Sequence, residues 1–428
     1  MSDATRHTIL ITFILMILMI EMPPASVYAS EKLATLPLLI EEALNNNPEL
    51  KSYGEMVRSF KERPAQASSL DDPRLKLAFA NLPVDSFRFD QEAMTQKQIQ
   101  VMQQIPFPGT LGLKEDIATK DLAIAKTELD RKRNELVRQV KIMYHNLVFL
   151  DKALKITTDN RNMLAEFIHT AETRYATGQG GQQEILTART ELSQIINKII
   201  SFKQKRETTA AYINTLLNRP VQEDVHVDEE INTTDLTSTY DELLNIADKT
   251  SPALRGLKQK IEQNRLAIDL AEKEYYPNMD FGISYGQRDN SATADRPDFF
   301  SASVTVNIPL WYKDKESRKV NEKKAEQRRS EEQYVSVRNS IHFRLKELLS
   351  QINMNEQEIE LLRSGFIPQS MASFESAMSG YTVNKVDFLT LINNQISLYN
   401  YKIEYFSAIT ARENRMAELE ETVGRRLF

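Results

Sequence analysis

Five histidines, at positions 7, 145, 169, 226 and 342, are where acid–base or metal chemistry would be sought first. None is spaced as HxxxH or HExxH, and the chain has no cysteine, so local sequence assembles no convergent zinc ligand set. The lack of cysteine also excludes disulfides, thiolate nucleophiles, iron–sulfur clusters and an amino-terminal lipoprotein cysteine. His145 and His342 are expected in solvated or inter-helix positions. The run Glu223, Asp224, His226, Asp228, Glu229 and Glu230 could attract a cation, but a solvated acidic linker has the same composition. Methionine would suit copper or silver, yet the 14 methionines form no close cluster beyond the amino-terminal segment. No glycine-rich phosphate loop follows a strand, and the serines, carboxylates and histidines show no triad spacing. The chain reads as a non-enzyme without cofactor or resident metal, whose energy source belongs to a partner.

The elements that position these residues follow from composition and breakers. Glycine is 12 of 428 residues, and 27% of the chain is charged, which describes a helix-rich protein. With 54 basic and 60 acidic residues the net charge is -6, so there is no polyanion-binding signature and nucleic acid is not an expected partner. Arg6 and His7 precede twelve uncharged residues, Ile9 to Ile20, and then Val27-Tyr28-Ala29. This is the pattern of a signal peptide over 1–29, with the mature chain starting at Ser30. Twelve apolar residues are too few to span a membrane.

No proline falls between 109 and 219, and only Pro368 falls between 310 and 428. Leu122, Leu129, Leu136, Met143 and Leu150 recur every seven residues, with Val140, Leu147 and Leu154 at the alternate heptad positions. Ile341, Leu345, Leu348, Ile352, Ile359, Leu362 and Phe366 repeat the spacing, as do Leu389, Ile392, Ile396, Tyr399, Ile403 and Phe406. Four long helices in two hairpins are implied, over about 109–218 and 313–424. The chain is also internally repeated. Asn47-Pro48-Glu49-Leu50 is answered by Ser251-Pro252-Ala253-Leu254, and Gln104-Ile105-Pro106 by Asn307-Ile308-Pro309. Tyr175 to Leu192 matches Tyr381 to Leu398 without a gap, and Asn218-Arg219 matches Gly424-Arg425. The units are 30–219 and 238–428, joined by a polar linker over 220–237.

Each unit carries a strand pair, expected near 74–82 and 97–106, then near 277–287 and 299–309. Phe281, Ile283 and Tyr285, like Phe300, Ala302, Val304 and Val306, alternate with small polar residues. Tyr275, Tyr276, Phe299, Trp311 and Tyr312 stand at the strand ends as an interfacial girdle would. In the first copy Gln103 breaks the apolar face after Ile99 and Val101. Four strands cannot close a membrane barrel, and open edges are not tolerated in lipid, so a barrel must be shared between chains. Three copies give twelve strands.

Taken together, the signal peptide, the duplicated helix, strand pair and hairpin, and the motifs Tyr175-Ala-Thr-Gly178 through Ile185-Leu186-Thr-Ala188 resemble the TolC family of outer-membrane efflux ducts. Gln104-Ile-Pro-Phe-Pro-Gly109 and Lys385-Val-Asp-Phe-Leu-Thr-Leu391 more narrowly resemble members that serve heavy-metal efflux, of cobalt-zinc-cadmium or copper-silver type. The resemblance implies a mainly α protein with a small β part. It would form a homotrimer with a 12-stranded barrel in the Gram-negative outer membrane and a periplasmic α-helical barrel. The implied partners are a periplasmic adaptor, an inner-membrane pump and outer-membrane lipid. The implied adaptor-docking tips are Tyr175, Thr177, Gly178, Gln179 and Gln182, with Tyr381, Asn384, Lys385 and Asp387. Glycine at 178 supplies positive φ, and Asn384 is the next-best residue for that turn. At the periplasmic entrance the best-known relative carries aspartate rings; here the positions are Thr390 and Asn393, with Glu184 and Thr187 in the first copy. Two other readings are an exported coiled-coil scaffold and a type I protein-secretion duct of the same fold.

Overall fold

A computed structural model describes residues 34–228 and 233–427; the expected signal peptide and part of the acidic run, Glu229 and Glu230, lie outside them. The first copy comprises α1 (Leu36–Asn46), α2 (Pro48–Ala67), β1 (Arg74–Ala80), β2 (Gln96–Ile105), α3 (Thr110–Ala176) and α4 (Gln182–Leu217). The second comprises α5 (Tyr240–Thr250), α6 (Pro252–Lys273), β3 (Met279–Gln287), β4 (Phe299–Val306), α7 (Glu316–Leu361), α8 (Ile367–Thr382) and α9 (Phe388–Val423). At 67 residues, α3 is a rod of about 100 Å.

Helix boundaries follow local chemistry. Asn47 caps α2, its side chain accepting from Leu50 N at 3.0 Å, with Pro48 in the first turn, where a missing N–H costs nothing. Thr239 and Glu242 form a reciprocal capping box on α5. Pro368 does not end its helix. A single π turn, Leu362–Phe366, links α7 to α8, widening the spiral just where proline lacks the donor for Ser364 and its ring would clash. The helical run 316–382 thus keeps the full length of α3.

Duplication is visible in the packing. Leu39 and Ala43 of α1 are buried with Ile213 and Leu217 of α4, as Leu243 and Ala247 of α5 are with Leu419 and Val423 of α9. The polar linker is in part a packed element. Val225 and Val227 are buried in the first-copy core, and Val227 bridges Ala34. Neighbouring Asp224 is ion-paired to Arg206, and Glu223 to Arg219, so arginines already engage these two carboxylates of the run considered for cation binding.

The chain forms three open tiers. One is a four-stranded antiparallel sheet in the order β1-β2-β3-β4, in which β2 and β3 join the two copies. Next to it α2, α3, α6 and α7 pack in sequence, and at the far end α4, α3, α9 and then α7 with α8. Every tier has a first-copy element at one edge and a second-copy element at the other. The edges are uncovered: Ile200 of α4 and Phe343 of α7 are 61% and 69% exposed.

Sheet register places Leu75, Leu77, Ile99, Val101, Phe281, Ile283, Val304 and Val306 on one face, and Lys76, Gln98, Gln100, Asp280, Ser284, Ser303 and Thr305 on the other. Gln103 does sit on the apolar face, opposite Phe281, but its Nε2 donates to Asp71 O at 2.8 Å and so folds onto backbone. Lys97, also on that face, pairs with Asp289 at 3.0 Å and lies over the Phe89 ring. Pro106 and Pro309 follow the strands. Below β4, Asn307 Oδ1 accepts from Asn278 N, so β4 stops before the expected 309.

Candidate functional site at the hairpin tips

Both hairpins reverse by the same physics. Gly178 has φ +73° and Asn384 φ +57°. In the first copy Gly178 N donates to Tyr175 O and Gln179 N to Arg174 O. In the second, Asn384 N donates to Tyr381 O and Lys385 N to Gly380 O. These are paired Schellman closures, with the left-handed residue just past the helix end. Gly180 and Gly181 do not share the positive φ. A Cβ on Gly180 would stand 3.3 Å from Arg174 Cβ, whereas a Cβ on Gly380 would stand 2.5 Å from Val386 Cγ2. Arg174 and Gly180 correspond to Gly380 and Val386, so each copy keeps one large and one glycine partner at this contact, in opposite order.

That exchange frees Arg174 to clamp the second copy. Its Nη1 donates to Tyr381 O at 2.9 Å, its Nη2 to Asn384 Oδ1, and its guanidinium lies 4.3 Å from the Tyr381 ring centroid. Tyr381 OH donates to Glu184 Oε2 at 3.4 Å. Burial, and then the Glu184 charge, pushes the Tyr381 phenol above its ordinary range. The two motif tyrosines therefore differ: Tyr381 is 4% exposed and Tyr175 49%.

The other tip positions Thr177, Gly178, Gln179, Gln182, Asn384, Lys385 and Asp387 are all exposed. Asp387 caps α9, accepting from Thr390 N at 2.8 Å and from the Thr390 hydroxyl at 3.0 Å, bonds that hold its carboxyl below the usual range. Of the entrance positions, Asn393 and Thr390 are exposed, while Glu184 and Thr187 are half-buried. The central residue of the clamp, Arg174, is one that sequence reading overlooked. Its signal was present as the exchanged glycines at 180 and 380.

Among the described residues no group of three or more His, Asp or Glu converges to hold a metal, and no helix is long and apolar enough to cross a membrane. His145 is buried between α3 and α9, and burial lowers its pKa to about 4. The unfolded chain takes up a proton near pH 6.5 that the fold refuses, so stability is lost as pH falls from there towards 4. Melting temperatures between pH 7 and 4.5 are expected to fall more steeply for the wild type than for His145→Gln; parallel curves would refute this assignment. His342 is half-buried, 3.4 Å from Asp248, which Arg338 also pairs. His169 and His226 are exposed.

Comparison with known proteins agrees with this architecture. The cobalt-zinc-cadmium resistance protein CzcC of Cupriavidus metallidurans is 18% identical over 393 residues, covering 91% of this chain and 90% of CzcC. The crystal structure of CusC superposes with a TM-score of 0.76 at 14% identity, covering 91% of this chain and 92% of CusC. That of VceC from Vibrio cholerae gives 0.76 at 15% identity, covering 91% and 96%. The sequence profile of the outer membrane efflux protein family matches twice, at residues 39–219 and 243–425, once for each copy of the duplicated unit. The chain accordingly belongs to the outer membrane efflux protein family and is a channel of the outer membrane, not an enzyme.

Proposed function

We propose that three copies close the tiers into one continuous duct, the exit channel of a tripartite efflux system fed by an inner-membrane pump through a periplasmic adaptor. The carrying observation is that all three tiers end on complementary copies of the same unit. Whatever pairs β2 with β3 inside the chain can pair β4 with β1 of the next. The Val101–Ile283 pair transposes to Val304 against Leu77 of the next copy, keeping apolar residues on the lipid side and polar residues around the lumen. The exposed tips are the adaptor-docking surface, and kinship with CzcC favours heavy-metal cations as cargo.

The chain's lack of cysteine makes the test clean. Directly opposed antiparallel residues lie about 4.5–5.5 Å apart at Cα, within disulfide reach. Oxidised Leu77→Cys/Val304→Cys protein is expected to run as a covalent trimer in denaturing gels, with each single variant monomeric. A double variant that stays monomeric would overturn the proposed closure.

At the entrance, the neutral pair Thr390 and Asn393 replaces the carboxylate rings that concentrate multivalent cations in a narrow pore. Single-channel conductance is expected to be insensitive to low micromolar trivalent cations and to become sensitive in Asn393→Asp. Block of the unmodified channel that Asp387→Asn abolishes would move the role to Asp387.

A further inference from the structure

Trp311, the chain's single tryptophan, is 74% exposed at the junction of sheet and helices. It does not stand alone. Ile308 and Leu310 continue the alternation of Val304 and Val306 past the end of β4 and are 71% and 67% exposed. The chain then turns, Lys315 N donating to Trp311 O, and enters α7. The apolar face of the sheet is thus prolonged by a wedge of Ile308, Leu310 and Trp311 towards the helical, periplasmic side.

Charge changes abruptly after the wedge. Residues 313–324 hold six basic against three acidic side chains, in a chain whose net charge is -6. The equivalent stretch of the first copy, 107–118, holds one basic against two acidic. Of the acidic residues, Glu316 is buried and lies 3.4 Å from Lys315. Lys319 is engaged with Glu274. Lys313 and Arg318 are exposed and carry no ion pair among the described residues.

We infer that the segment from Ile308 to Arg318 is a lipid anchor: its wedge enters the periplasmic leaflet, and Lys313, Lys315 and Arg318 bind the phosphodiester groups of anionic phospholipids. The inference rests on the outer face of the sheet being the lipid face. Two features select a lipid surface over an acidic protein. The wedge is continuous with that face, and a tryptophan followed at once by cations matches the order of acyl chain, interface and headgroup along the membrane normal. The duplicated unit supplies this device once per chain, so a closed ring would carry one anchor for each copy. It would also give the barrel a fixed depth in a chain that has no lipidated cysteine to set one.

The lone tryptophan is the reporter. The full-length protein is reconstituted in phosphatidylcholine vesicles, and Trp311 fluorescence is titrated with dibrominated phosphatidylglycerol or dibrominated phosphatidylcholine. Half-maximal quenching is expected at an about threefold lower mole fraction of the anionic lipid at 0.1 M salt. The preference should vanish in Lys313→Gln/Lys315→Gln/Arg318→Gln and at 0.5 M salt, where screening is nearly complete at headgroup distances. Equal quenching by the two lipids overturns the anionic site while leaving the lipid-facing sheet intact, and is also what an acidic protein partner would leave. Quenching by neither lipid overturns both. The wild-type comparison stands even where the triple variant fails to assemble.

Discussion

Gly178→Val is expected to abolish efflux while leaving the trimer and the barrel intact. Gly178 closes the first hairpin with φ +73°, and a Cβ there would meet nothing within 4 Å. The penalty is therefore conformational and not steric: a side chain in the left-handed region costs on the order of 1–3 kcal/mol, at the upper end for a β-branched residue. The tip relieves that strain by unwinding the Schellman closure. This displaces Arg174 from Tyr381 and Asn384 and reshapes the tip surface proposed to dock the adaptor. Gly178→Asn should behave as wild type, because Asn384 already holds the equivalent conformation in the second copy. Metal or drug resistance would be measured in a strain whose only duct is this one, with gel-stable oligomer as the assembly control. Unchanged resistance in the valine variant would show that docking occurs elsewhere.

Val304→Arg is expected to prevent membrane assembly, whereas Thr305→Arg does not. Val304 pairs with Phe281 and Thr305 with Asp280, on opposite faces of the sheet. An arginine on the lipid face near the midplane costs roughly 2–4 kcal/mol, and symmetry repeats the cost in each chain. On the other face, arginine at 305 would enter a polar lumen beside the Asp280 carboxylate, where opposite charge favours it. The readout is the yield of gel-stable trimer in the outer-membrane fraction. Equal tolerance of the two variants would contradict the assigned faces.

Much of this architecture is legible in the amino-acid sequence. Heptad spacing, proline positions and period-two alternation are local signals, because helix and strand faces repeat within seven residues and within two. The left-handed positions were legible for the same reason: Gly178 and Asn384 answer each other at a fixed offset, and few other residues accept that backbone conformation. Pro368 was harder to read. Whether a proline breaks a helix depends on whether its neighbours can widen by one residue, and here the packed flanks hold the π turn in line.

What the sequence determined by itself, then, is the duplicated unit, its element types, and the alternation that gives each strand one apolar and one polar face. The tertiary structure alone decided which copies meet. The pairing of β2 with β3, the burial of Val225 and Val227, and the neutralisation of Lys97 by Asp289 each join residues far apart in sequence. So does the contrast between Tyr381, clamped by Arg174 and Glu184, and Tyr175, its exposed twin. No local spacing encodes these contacts, because their energies depend on side chains that only the assembled fold brings within hydrogen-bonding distance. In a duplicated chain the two copies share motifs but not neighbours, and equal residues take unequal roles.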